Sequence, residues 1–164
     1  MGRREEREQA FNIVFSALFQ PEEALTDIID DEAEAGAYIQ SDYSKKLLDT
    51  LSKNTNEIDS IIEQRTVKWK KERLSKVALS VLRLSLCEIL YFDDIPVSVS
   101  VNEAVELAKK YSVQEDAAFV NGLLGSFIRE RQGETGGEAT ETEPEALAEP
   151  DTADTEPETA DVKL

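Results

Sequence analysis

Apolar side chains recur at intervals of three and four residues almost everywhere before residue 132, and then the pattern stops. Two-residue alternation is sparse over the same stretch and glycine is scarce, so the pattern calls for helices with one buried face rather than for sheet. From Gly133 to Leu164 the chain has eleven acids against the single base Lys163, three of its five prolines, and only Leu147, Val162 and Leu164 as large apolar side chains. Such a composition cannot offset the entropy lost on ordering it. The expectation is an all-α domain over residues 1–132, long enough for a real core, followed by a disordered acidic tail over 133–164.

About seven helices are expected. The first covers Arg4–Phe19, with Phe11, Val14, Phe15 and Leu18 as its stripe and Pro21 beyond its end. A second carries Leu25, Ile28 and Ile29. After Gly36, Ser41 caps a third whose inward residues are Ser44, Leu47, Leu48 and Leu51, and Asn54-Thr55-Asn56 separates it from a fourth with Ile58, Ile61 and Ile62. Leu74–Phe92 is the most hydrophobic stretch and reads as the central helix. Arg83 and Glu88 within it are five apart and not helical neighbours, so each needs a partner elsewhere or solvent. Ser100-x-x-Glu103 and Ser112-x-x-Glu115 read as capping boxes that open the last two helices. Gly122 and Gly125 fall mid-helix, where each costs roughly 1 kcal/mol against alanine, and a close helix crossing would account for them.

The chain has no histidine, no glycine-rich phosphate loop and no serine in a nucleophile-elbow setting, so it reads as a non-enzyme without cofactor or metal. Cys87, the only cysteine, sits in an apolar run and has nothing to pair with, which suits a reducing cytoplasm. No signal peptide opens the sequence, and no apolar run is long enough to span a membrane. The tail accounts for −10 of the formal −17, leaving 24 acids, 17 bases and −7 on residues 1–132. An acidic body disfavours nucleic-acid binding unless bases cluster locally, within about 8 Å at physiological salt. Arg3, Arg4 and Arg7 fall at i, i+1 and i+4, which would group them in a compact cationic corner of the first helix. Glu5, Glu6 and Glu8 interleave with them, so a charged, fraying helix start is the other reading. Lys68, Lys70, Lys71 and Arg73 around Trp69 fit either a solvated turn or a binding surface.

Val101-Asn102-Glu103-Ala104-Val105-Glu106-Leu107-Ala108-Lys109-Lys110, followed by Phe119-Val120-Asn121-Gly122-Leu123-Leu124, closely resembles the C-terminal signature of the NusB family. Val81-Leu82-Arg83-Leu84, Glu88-Ile89, Ile95-Pro96, Arg7-Glu8, Ala10 and Phe15 extend the resemblance, in the family's order, over roughly residues 3–131. It implies an all-helical fold of two packed helical subdomains. It also implies transcription antitermination: with the small-ribosomal-subunit protein NusE, such a protein holds the single-stranded RNA element boxA. The complex joins elongating RNA polymerase with the other Nus factors and suppresses termination, chiefly in ribosomal RNA operons.

By position, the resemblance sets Arg3, Arg4 and Arg7 against RNA backbone. Phe119 either stacks on an unpaired base or belongs to the core, and Asn121 either reads a base edge or caps backbone. Asn102 and Glu103 read as structural. Phe15 and the segment beginning near Glu72 are set toward NusE. Two departures stand out: Ala78, where some relatives carry an acid toward NusE, and Ala118, where some carry a lysine near RNA. Whether the chain forms a homodimer is left open. The tail is either a solubilising extension or a competitor of RNA for the three arginines. Two other functions fit the residues: a protein-interaction module without RNA binding, and a detached NusB-like module of a ribosomal-RNA cytosine methyltransferase.

Overall fold

The computed structural model describes residues 1–66 and 74–134, apart from the Glu134 side chain, and every regular element among them is helical. These are α1 (Arg3–Ala17), α2 (Leu25–Glu34), α3 (Asp42–Arg65), α4 (Lys76–Tyr91), α5 (Val97–Tyr111) and α6 (Gln114–Glu134). The expectations for Lys68, Trp69, Lys70, Lys71, Glu72 and Arg73, and for nearly all of the acidic tail, lie outside the described residues. Six helices replace seven because the expected third and fourth are one element. Asn54 leaves helical geometry (φ −124, ψ 20) and its side chain donates to the Thr50 carbonyl at 2.8 Å, so the Asn-Thr-Asn punctuation bends α3 without ending it.

Local caps explain four of the helix boundaries. Glu5 accepts the Gly2 N–H at 2.8 Å and opens α1. Ser41 and Ser44 satisfy each other's amides at 3.0 and 3.1 Å and open α3. Ser75 accepts the Ala78 N–H at 2.9 Å and opens α4, while its own hydroxyl donates to Asp116 at 2.6 Å. Gly36 follows α2 at φ +80, a left-handed conformation that suits glycine, and there the Glu32 carbonyl accepts from Ala37 and Tyr38.

Both serine boxes expected near the end of the domain are displaced. Pro96 enters α5 in extended geometry and the helix starts at Val97, so Ser100 lies inside it, buried, and donates to Glu88 at 2.7 Å. The α6 helix starts at Gln114. Ser112 instead closes α5, and its hydroxyl goes to Asp116 rather than capping for Glu115. In both places a carboxylate other than the expected one claims the hydroxyl, a distant one for Ser100 and the neighbouring Asp116 for Ser112.

The chain divides into two units, residues 1–120 and 121–164. In the first, α1, α3, α4 and α5 pack together. Phe11, Leu47, Leu48, Leu51, Ile58, Ile62, Leu82 and Leu86 are fully buried. Each contributes on the order of 1.5–3 kcal/mol. Ten of the sixteen residues of α4 are buried, which makes it the central helix, as its hydropathy requires. In the second unit α6 continues from Asn121, with Leu123, Leu124 and Phe127 buried and the Arg131 guanidinium 5.6 Å from the Phe127 ring centre. Among the described residues a Cβ at Gly122 would meet nothing within 4 Å, and one at Gly125 only the Arg129 Nη1 at 3.4 Å.

Candidate functional site

The inward face of α1 begins earlier than its apolar stripe. Arg7 lies three and four residues before Ala10 and Phe11, which puts it on the same face, and only 6% of it is exposed. Its Nε donates to Glu88 Oε2 at 2.8 Å, the Tyr43 hydroxyl donates to the same oxygen, and the Ser100 hydroxyl takes Oε1 at 2.7 Å. One carboxylate thus joins α1, α3, α4 and α5. Burial alone would lower the Arg7 pKa, but the hydrogen bond and charge of Glu88 outweigh it and leave the pKa raised. Burial, then the charge and hydrogen bond of Glu88, hold the Tyr43 hydroxyl well above the usual phenol range. The expected cationic corner therefore loses one member, because Arg7 is inside.

Arg3 and Arg4 remain at the surface. The Arg3 guanidinium lies over the Tyr43 ring, its central carbon 4.1 Å from the ring centre, with Glu6 at 3.4 Å. Phe92 meets the Tyr43 ring edge-on at 6.0 Å, and Lys46 Nζ lies 4.3 Å from the centre of the Phe92 ring. Arg4 forms a two-pronged pair with Glu103 at 2.8 and 3.0 Å while its side chain stays 70% exposed. This hydrogen bond, with the charge of Glu103, raises the Arg4 pKa. One turn further along α1, Glu8 accepts from Lys110 at 2.7 Å and from the Tyr111 hydroxyl, and these bonds hold its carboxyl below the usual range. Between the two pairs lies a groove of about 150 Å³, lined by Arg4, Glu8, Glu103, Glu106 and Lys110 above Arg7 and Leu107.

The other expected residues are more scattered. Phe119 is half-buried near the start of α6. Asn121 belongs to the second unit, where its buried Oδ1 has no hydrogen-bond partner among the described residues. Phe15 is half-buried, stacked on Phe11 at 5.8 Å, with the exposed Phe19 edge-on at 5.2 Å and Lys76 beyond it. Glu72 is outside the described residues. Ala118 is exposed. Ala78 is fully buried, so it is a core position rather than a gap in a partner surface. Sequence reading missed Tyr43, Ser100 and Lys110. The one available signal was Glu88, a carboxylate in an apolar run that had to be matched by something.

The NusB family model matches residues 4–129. The transcription antitermination protein NusB of Ruminiclostridium cellulolyticum is 47% identical over 132 residues, covering 79% of this chain and 90% of that protein. The protein of the same name from Clostridium botulinum is 42% identical over 141 residues, covering 78% and 100%. Among solved structures, T. maritima NusB superposes with a TM-score of 0.72 at 32% identity, covering 79% of this chain and 92% of that one. A chain from a crystal structure of antitermination factors NusB and NusE in complex with dsRNA superposes with a TM-score of 0.65 at 29% identity, covering 76% and 93%.

Proposed function

The chain belongs to the NusB family, and from that premise we propose that it is a transcription antitermination factor, not an enzyme, which binds RNA together with NusE. In the finer reading the RNA is single-stranded boxA, the setting is ribosomal RNA operons in the cytoplasm, and RNA polymerase and the other Nus factors are reached through the assembled complex. No helix among the described residues is long and apolar enough to cross a membrane.

The observation that carries the RNA reading is the pair of surface guanidiniums on the first turn of α1, Arg3 on its Tyr43 platform and Arg4 beside it. Planar, permanently charged forks of this kind suit phosphate oxygens. Arg7 has a different role here: through Glu88 it ties α1 to α3, α4 and α5. Phe119 offers a half-buried ring for stacking on an unpaired base, whereas the Asn121 Oδ1 is buried, so a base edge would reach it only after local opening of α6. Phe15 and the exposed Phe19 form an aromatic end of α1 suited to NusE.

Fluorescence anisotropy with labelled boxA RNA tests this. The chain and NusE together should bind more tightly than either alone. If the mixture binds no better than NusE alone, the RNA role is wrong. One observation favours a second reading, a protein-interaction module without RNA binding: Arg4 and Lys110 are already held by carboxylates on an acidic body. That reading predicts NusE binding with RNA affinity unaffected by Arg3 and Arg4.

A further inference from the structure

The two ion pairs of the groove run in opposite directions. Arg4 of α1 is held by Glu103 of α5, whereas Lys110 of α5 is held by Glu8 of α1. The pairs are one turn apart on α1 and two turns apart on α5. We propose that this groove is a phosphodiester-binding site of the RNA, with Arg4 and Lys110 as its cations and the Glu103 and Glu8 carboxylates as resting occupants that the RNA backbone must displace. The proposal rests on the RNA-binding reading above and deepens it by naming where the backbone goes and what opposes its entry.

Three features argue for displacement. Arg4 presents Nε and Nη2 to the two oxygens of Glu103, the same two donors it would present to two phosphate oxygens, so carboxylate and phosphate exclude each other. The Arg4 and Lys110 side chains are 70% and 60% exposed, unlike Arg7 at the floor. With their cations exposed, although the Glu103 and Glu8 side chains are only 15% and 22% exposed, these pairs favour the closed state by about 1.5- to 5-fold each, so a polyanion can open them, whereas the buried Arg7–Glu88 pair stays shut. With Arg7 neutralised by Glu88, the remaining lining has two cations against Glu8, Glu103 and Glu106. A phosphate entering beside undisturbed pairs would meet net repulsion.

A mutant cycle on the full-length chain with NusE and labelled single-stranded boxA RNA tests the proposal. Glu103→Gln should tighten binding about 2- to 5-fold by freeing Arg4. The gain should vanish in the Arg4→Ala background, so that the double variant binds no better than Arg4→Ala alone. A general loss of negative charge would instead tighten binding in both backgrounds, and that result overturns the proposal. Glu8→Gln with Lys110→Ala is the second cycle, and it decides the matter should Glu103→Gln fail to fold. Unchanged or weaker binding by the folded Gln variants also overturns the proposal while leaving RNA binding itself intact. Absence of RNA binding by the unaltered protein with NusE overturns the functional reading and this site with it.

Discussion

Breaking the Arg7–Glu88 pair from either side should destabilise the domain, and the two losses should sum to more than the loss on removing both partners together. Both side chains are almost wholly buried, 7% and 2% exposed, and their contact is 2.8 Å. Removing one partner of such a pair leaves an uncompensated buried charge and typically costs about 3–5 kcal/mol. Arg7→Met should fall near the lower figure, because the Tyr43 and Ser100 hydroxyls still serve the Glu88 carboxylate. Glu88→Leu should fall near the upper one, since it strands the guanidinium, with Glu103 only at 3.7 Å, and orphans both hydroxyls. In the double variant the charges are gone and mainly the two hydroxyls are left unsatisfied, at about 1–3 kcal/mol each or less if they find one another. The singles would sum to about 8 kcal/mol and the double should lose about 4, a coupling of several kcal/mol. Urea unfolding followed by circular dichroism measures it: with a slope of about 2 kcal/mol per molar, the singles should shift the midpoint by roughly 1.5 and 2.5 M. Singles that each lose under about 1 kcal/mol, or a double that equals their sum, would refute the claim that one carboxylate ties the four helices together.

Two further outcomes follow from titratable groups whose ionisation the fold opposes. Burial, then the hydrogen bond to Glu57, raises Tyr91 to about 12, the hydrogen bond to Glu8, then burial, raises Tyr111 to about 12, and burial raises Tyr38 and Tyr43. Ultraviolet titration of the folded protein should therefore show the tyrosinate step displaced above its usual pH of about 10. Because the folded values exceed the unfolded one, the stabilisation is complete below about pH 10 and is lost as pH rises through the folded values. A native tyrosinate step near pH 10 would contradict the placement of these rings. Cys87 is fully buried, and burial, helped by the Glu88 charge, pushes its thiol up to about 12. It should ignore a thiol reagent until urea unfolds the chain, and prompt labelling of the native protein would contradict this.

Helix positions were legible in the sequence because apolar spacing is a local property. Leu47, Leu48, Leu51, Ile58 and Ile62 are buried as their spacing requires, and α4 is central as its hydropathy requires. Long-range pairing was not legible. Glu88 announced that it needed a partner, yet the partner is Arg7, 81 residues earlier, and helical spacing carries no information across that interval. Arg7 looked like a third surface cation because it is charged. Its position one turn before Ala10 and Phe11 was the better guide, since a long guanidinium stem can enter a core that offers a carboxylate. Ser100 shows the converse: a cap-like string was drawn into the same buried network. The groove was invisible because Lys110 reaches Glu8 across 102 residues.

The salt dependence of RNA affinity tests the central claim most directly. With Arg3 and Arg4 both changed to Ala, the slope of log affinity against log salt should flatten by about 1.4, two phosphates at about 0.7 each for a single strand. Arg7→Met, which acts through stability, should leave the slope unchanged under conditions where it is folded. A slope that does not change when Arg3 and Arg4 are removed would mean that the cationic end of α1 does not touch RNA.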